Sequence, residues 1–143
     1  MERILVSMSP RHATWGALSR AVSLAKRIDA RVYALLVLQS STGAIGGDGG
    51  TYSESEVRQR LEFLIGLAKS DGISIDYFIS EGNYEEEVIR FTEENKITLM
   101  VAEHPIRDPR NPDHDSTSFK KILHRIRCRV EVVSPRKLQQ LQI

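Results

Sequence analysis

The segment Val32-Tyr33-Ala34-Leu35-Leu36-Val37-Leu38 is apolar at every position. A strand with one wet face alternates apolar and polar residues, so a run without a polar member reads as a strand buried on both faces. Burial on both faces requires helices above and below a parallel sheet. The rest of the chain supplies them in alternation. Ile4 to Met8 forms an earlier apolar run that stops at Ser9-Pro10. Trp15, Leu18, Val22 and Ala25 then recur at helical spacing, with Ser9 or Thr14 as the expected cap.

Residues 39–52 hold five glycines and almost no large apolar side chain. The cluster Gly43 to Gly50 lacks the Gly-Lys-Ser/Thr ending of a phosphate loop and reads as a flexible connection. Ser53 and Glu56 have capping-box spacing ahead of the apolar face Val57, Leu61, Leu64, Ile65 and Ala68. Asp71-Gly72 ends that helix. Ile73, Ile75, Tyr77 and Ile79 alternate with Ser74, Asp76 and Ser80, as in an edge strand with one wetter face. Asn83 with Glu86 repeats the capping logic before Tyr84, Val88 and Phe91. Ile97 to Ala102 is a fourth strand, 103–115 an irregular loop with Pro105, Pro109 and Pro112, and Phe119, Ile122, Leu123 and Ile126 a last helix. Val130, Val132 and Val133 close the pattern before Pro135. The order βαβαβαβαβ predicts a doubly wound α/β sheet of five parallel strands with helices on both faces. One domain over residues 1–135 is expected, followed by a patternless tail over 136–143.

Composition narrows the function classes. Twenty Lys and Arg against nineteen Asp and Glu leave a formal charge of +1, which argues against a general nucleic-acid binder or a polybasic membrane-surface protein. A secretory signal needs about 7–15 consecutive apolar residues and a membrane span about 18. At the start, polar residues follow Ile4-Leu5-Val6 at once, and no run anywhere approaches the membrane length, so a cytoplasmic location is expected. The lone Cys128 excludes an intramolecular disulfide and a cysteine-based zinc cluster. Arg127 and Arg129 beside it favour a thiolate, yet a buried structural thiol is the preferred reading. No Ser-His-Asp arrangement or nucleophile elbow is present. Neutrality hides local charge: residues 81–94 carry six glutamates against Arg90, whereas Lys120 to Arg129 hold five basic residues and no acid. Two solvated helix faces of opposite sign are expected, with complementary patches that steer a partner as the alternative.

Ligands of such sheets sit beyond the carboxyl ends of the strands, where strand order reverses. His12, Glu103 and His104 follow the first and fourth strands and are an alternative metal or acid–base constellation there. The preferred reading assigns no metal and treats them as loop residues.

Taken in order, these segments resemble the universal stress protein family over residues 2–135. The resemblance rests on Ile4-Leu5-Val6 followed by Ala17-Leu18, Ala21 and Leu24-Ala25-Lys26-Arg27. It continues through Leu35-Leu36-Val37-Leu38, the Glu81-Gly82 turn and Leu99-Met100-Val101-Ala102. It closes on Ile122-Leu123, Cys128 and Val130 to Val133, where members often read Cys-Pro-Val. It implies an adenine-nucleotide-hydrolase-like sheet of order 3-2-1-4-5. It also implies a homodimer formed by antiparallel pairing of the last strands, here Val130, Glu131, Val132, Val133 and Ser134.

The family's ATP-binding branch holds nucleotide with an acidic residue after the first strand and a Gly-x2-Gly-x9-Gly-Ser/Thr loop after the fourth. Here the acidic position falls on Ser9, and the glycines fall on Glu103, Ile106 and Ser116, with Thr117 keeping the hydroxyl. Phosphate must approach backbone N–H groups closely, which glycine permits, and a carboxylate at Glu103 repels it. Ser116-Thr117 still offers a helix start to an anion. The expected function is a non-enzymatic regulatory or interaction protein without a cofactor. The alternatives are an ATP- or AMP-binding stress protein with an altered pocket lined by Ser7, Ser9, Val37, Glu103, Ser116 and Thr117, or a small-ligand or metal binder at the crevice.

Overall fold

The structure, a computed structural model, describes residues 1–39, 54–104 and 114–134, the side chains of 114–118 excepted. The glycine-rich segment 43–50, Ser53, Ile106 and the tail 136–143 fall outside these residues. The elements are β1 (Glu2–Met8), α1 (Trp15–Ala25), β2 (Ala30–Leu38), α2 (Glu54–Ser70), β3 (Ile75–Glu81), α3 (Tyr84–Glu94), β4 (Leu99–Glu103), α4 (His114–Arg125) and β5 (Arg129–Val133). All strand pairs are parallel and the sheet order is β3-β2-β1-β4-β5, the order that the resemblance implied.

The all-apolar run occupies β2, paired with β1 from Glu2↔Ala30 to Met8↔Leu36. Its residues alternate between two cores. Val32, Ala34 and Leu36 pack with Ile4, Val6 and Met8 under α1 and α2. Tyr33, Leu35 and Val37 pack with Leu5 and Met100 under α3 and α4. Each fully buried side chain such as Leu36 contributes about 1.5–3 kcal/mol of transfer free energy. That burial explains why the run tolerates no polar member.

Local signals set several boundaries. After α2, Gly72 adopts φ +84°, with its N–H on Lys69 O at 2.9 Å and Ile73 N–H on Ala68 O at 2.8 Å. This six-to-one closure with a left-handed glycine is the Schellman stop. Asn83 caps α3, its side-chain oxygen accepting from Glu86 N–H at 3.0 Å. The reciprocal half of the expected capping box is not made, because the Glu86 carboxylate instead accepts from Arg125 of α4 at 2.6 and 3.4 Å.

That ion pair corrects the picture of two separate charged faces. The acidic helix α3 and the basic helix α4 lie side by side on the same face of the sheet. Glu86 is held below the usual carboxylate range by its hydrogen bond to Arg125 and by the charge on that guanidinium. Arg20 of α1 likewise pairs with Glu131 of β5, and Glu2 accepts from Thr98 at 2.5 Å and Arg129 at 2.6 Å. Cys128 is half-buried, and burial raises its thiol pKa above the ordinary value despite Arg129. The structural-thiol reading matches that environment. None of the described helices is long and apolar enough to cross a membrane.

Candidate functional site

Strand order reverses between β1 and β4, so the crevice lies above their carboxyl ends. β1 ends at Met8, and Ser9 and His12 close a tight reciprocal turn. Ser9 N–H donates to His12 O at 3.1 Å, and His12 N–H donates to Ser9 O at 3.0 Å and Ser9 Oγ at 3.1 Å. This turn feeds α1. Thr14 stands at its N-cap position but makes no side-chain cap hydrogen bond. Its hydroxyl donates to Ser7 O at 3.0 Å. The expected capping by Ser9 or Thr14 is therefore replaced.

The replacement comes from β4. Glu103 is not a loop residue: it is the last residue of β4 and only 9% exposed. Ala17, third in α1, donates its N–H to Glu103 Oε1 at 3.1 Å. A helix start leaves its first N–H groups without helical partners and favours negative charge. α1 has no acid of its own in its first turn, so Glu103 supplies that charge from a neighbouring strand. His12 Nε2 lies 3.1 Å from Glu103 O, joining the turn after β1 to the end of β4.

Two further contacts fill the crevice floor. Ser7, nearly fully buried, shares a 2.8 Å hydrogen bond with the Tyr84 hydroxyl of α3. Val37 is packed into the α3–α4 core. Ser116 and Thr117 lie in the first turn of α4. Ser9, His12 and Glu103 are thus joined through hydrogen bonds at the carboxyl end of the sheet, with Ser7 bonded beside them to Tyr84 and Thr14. Tyr84 and the Ala17 amide belong to these contacts too, although helical periodicity marked Tyr84 only as part of an apolar face.

The structure does not bring His12, Glu103 and His104 to a common point. The His12 ring is engaged on a carbonyl, and the Glu103 carboxylate on an amide. His104 is exposed, with its ring 5.2 Å from that of Phe119 and its N–H on Val133 O at 3.0 Å. Among the described residues no group of three His, Cys, Asp or Glu side chains is placed to hold a metal ion. At the far edge, β5 pairs only with β4 among the described residues, and Val132 is 38% exposed.

The model of the universal stress protein family matches residues 1–134. No curated protein matches the sequence. Among solved structures, universal stress protein UspA from Lactobacillus plantarum is 19% identical, with 92% of this chain and 97% of that one covered at TM-score 0.71. A universal stress protein from Archaeoglobus fulgidus is 14% identical, covering 92% and 98% at TM-score 0.68. A universal stress protein solved in complex with cAMP is 14% identical, covering 92% and 96% at TM-score 0.62. At such identities the likeness is one of fold. The family match along residues 1–134, with the sheet order β3-β2-β1-β4-β5, makes this chain a member of the universal stress protein family.

Proposed function

We propose that the chain is a non-enzymatic regulatory or interaction protein of the universal stress type, and that it does not hold ATP in the mode of the family's ATP-binding branch. Glu103 carries this reading. It stands where that branch has its first glycine, and its carboxylate already occupies the Ala17 N–H at the head of α1. An incoming phosphate meets a negative charge and a partnered amide there, in a site that is nine-tenths buried. The altered positions Ser9 and Ser116 remove further parts of the same machinery. The protein acts as a cytoplasmic homodimer in this reading, with Val130 to Ser134 of β5 pairing with the same residues of a second copy. Such pairing covers the open edge and the outward Val132.

A second reading draws on the relative solved with cAMP: an altered pocket over Ser7, Ser9, Val37, Ser116 and Thr117 that takes a nucleotide after Glu103 leaves the α1 amide. Calorimetric titration with Mg-ATP, AMP and cAMP separates the two, with sedimentation equilibrium run on the same sample. The first reading expects no saturable heat up to about 1 mM nucleotide, a ceiling of about −4 kcal/mol, and twice the mass of one chain. Saturation by ATP at micromolar concentration overturns it, and a monomeric mass overturns the dimer.

A further inference from the structure

Among the described residues, apolar surface stays exposed in two regions away from β5. One is a groove of about 260 Å³ between edge strand β3 and helix α3, floored by Leu35, Phe78 and Phe91. Its charges offset one another, since Glu87 pairs with Arg90 and Lys96 follows Glu94, so they select no occupant. The other region is the outer face of α2. Val57, Leu61 and Ala68 are the buried side of this helix. Phe63 and Leu67, one turn apart on the opposite side, are 65% and 50% exposed. A single exposed apolar side chain is ordinary, but two bulky neighbours at helical spacing form a patch. Beside them sits Gly66, a poor helix former in the interior of a 17-residue helix. A Cβ at this position meets nothing within 4 Å, so packing inside the chain does not call for glycine. Its effect is to leave the backbone bare next to Phe63 and Leu67, where a second body can come close.

The charges around this face complement themselves. Glu62 and Lys69 lie on one flank of it, about 10 Å apart along the helix axis and so too far to pair with each other. Neither has an ion pair among the described residues. Arg60 and Asp71 lie on the other flank, which leans on α1. The Arg60 guanidinium stands over the Trp15 ring at 5.2 Å, and Asp71 pairs with Lys26 at 3.1 Å. Two cations and two anions leave the face without net charge. When a second copy of α2 is laid antiparallel on the first, a single alignment sets Glu62 against Lys69 and Arg60 against Asp71, in both directions. In that alignment the two-fold axis passes between residues 65 and 66. The bare backbone at Gly66 then lies at the crossing, and each Phe63 falls beside Leu67 of the other copy.

We propose that the outer face of α2 is a self-association surface, on which a second copy of this chain packs its own α2 antiparallel across a two-fold axis. An isologous contact needs a face that complements itself, and the shared alignment of the two charge pairs supplies that. A partner of strong single-sign charge gains little from a face of zero net charge. Phe63 and Leu67 form the apolar centre, Gly66 permits the close approach, and Glu62 with Lys69 fixes the register. The contact is one helix wide and falls below the about 1,200 Å² of standard interfaces, so a weak, concentration-dependent association is expected. It goes beyond the β5 dimer and does not depend on it. Where both contacts form, β5 pairs join through α2 into larger assemblies.

The test is sedimentation equilibrium of the full chain from about 10 µM to about 1 mM, with ¹⁵N amide spectra over the same dilution series. A mass that doubles with concentration is expected, accompanied by amide shifts at residues 59–71. Phe63→Ser and Gly66→Gln should each weaken this step at least about tenfold. Gly66→Gln should leave thermal unfolding unchanged or raise it, because the new side chain meets nothing inside the chain and suits a helix better. Glu62→Lys and Lys69→Glu should each weaken the step about three- to tenfold, and the two together should restore it. Residues 62 and 69 do not reach each other within one helix, so restoration arises only between copies. A mass independent of concentration, association untouched by Phe63→Ser, or a double exchange no better than either single change overturns the proposal. So do shifts confined to 130–134, since these assign the association to β5 alone. A mass that is monomeric when dilute and doubles through α2 overturns the β5 dimer and leaves this contact standing.

Discussion

Above the ends of β1 and β4, polar groups find their partners inside the chain, whereas along β3 and α3 an apolar floor is half-covered and, among the described residues, the outer edge of β3 has no strand partner. In the crevice Glu103, His12, Ser9, Ser7 and Tyr84 use one another and the head of α1. In the groove Phe78 packs edge-on against Phe91 yet stays 39% exposed. The crevice at the carboxyl ends of β1 and β4 is thus the better satisfied of the two concave regions.

The sharpest way to break this comparison is to cut what the two regions share. Phe91 floors the groove and also sits in the α3–α4 core at 9% exposure. Phe91→Ala should lower unfolding free energy by about 3–5 kcal/mol in urea melts; a loss below 1 kcal/mol would show that α3 is not anchored through this ring. The next test contrasts one carboxylate from each region. Glu103→Ala removes the anion at α1 and should destabilise by about 1.5–3 kcal/mol, while Glu94→Gln should stay within about 0.5 kcal/mol. Equal effects would erase the distinction between an engaged and a free acid.

The smallest effect concerns pH. Arg125 holds the folded-state pKa of Glu86 below its ordinary value of about 4.3. The α3–α4 tie is then fully present above that ordinary value and is lost as pH falls through the lower folded one. Acid unfolding of Glu86→Gln should show a shallower loss below about pH 4.5 than the unchanged chain. An identical acid profile would mean that the exposed pair is screened to nothing.

Much of the architecture was legible because its signals are local or periodic. The β2 run, the Asn83 cap and the Gly72 stop each act within a few residues, and β3 read as an edge from its alternation. The site was legible only in outline. Ser9 and Glu103 were placed at the crevice by topology, but the cap on α1 was assigned to Ser9 or Thr14, the nearest candidates. Glu103 lies 86 residues from Ala17, and no spacing rule reaches that far. The acidic and basic stretches were visible as charge, but not as neighbours joined by Glu86 and Arg125. The groove was hidden for the same reason, since periodicity says which face Phe78 and Phe91 occupy and not that a gap remains between β3 and α3.

The sequence by itself determined a parallel α/β sheet and its helix order. These follow from burial patterns and residue chemistry that act along the chain. Only the tertiary structure decided that Glu103 fills the head of α1 and that opposite charges meet across α3 and α4. Those outcomes depend on which elements become neighbours in space, and the strength of a hydrogen bond or ion pair depends on that proximity and on the water it excludes.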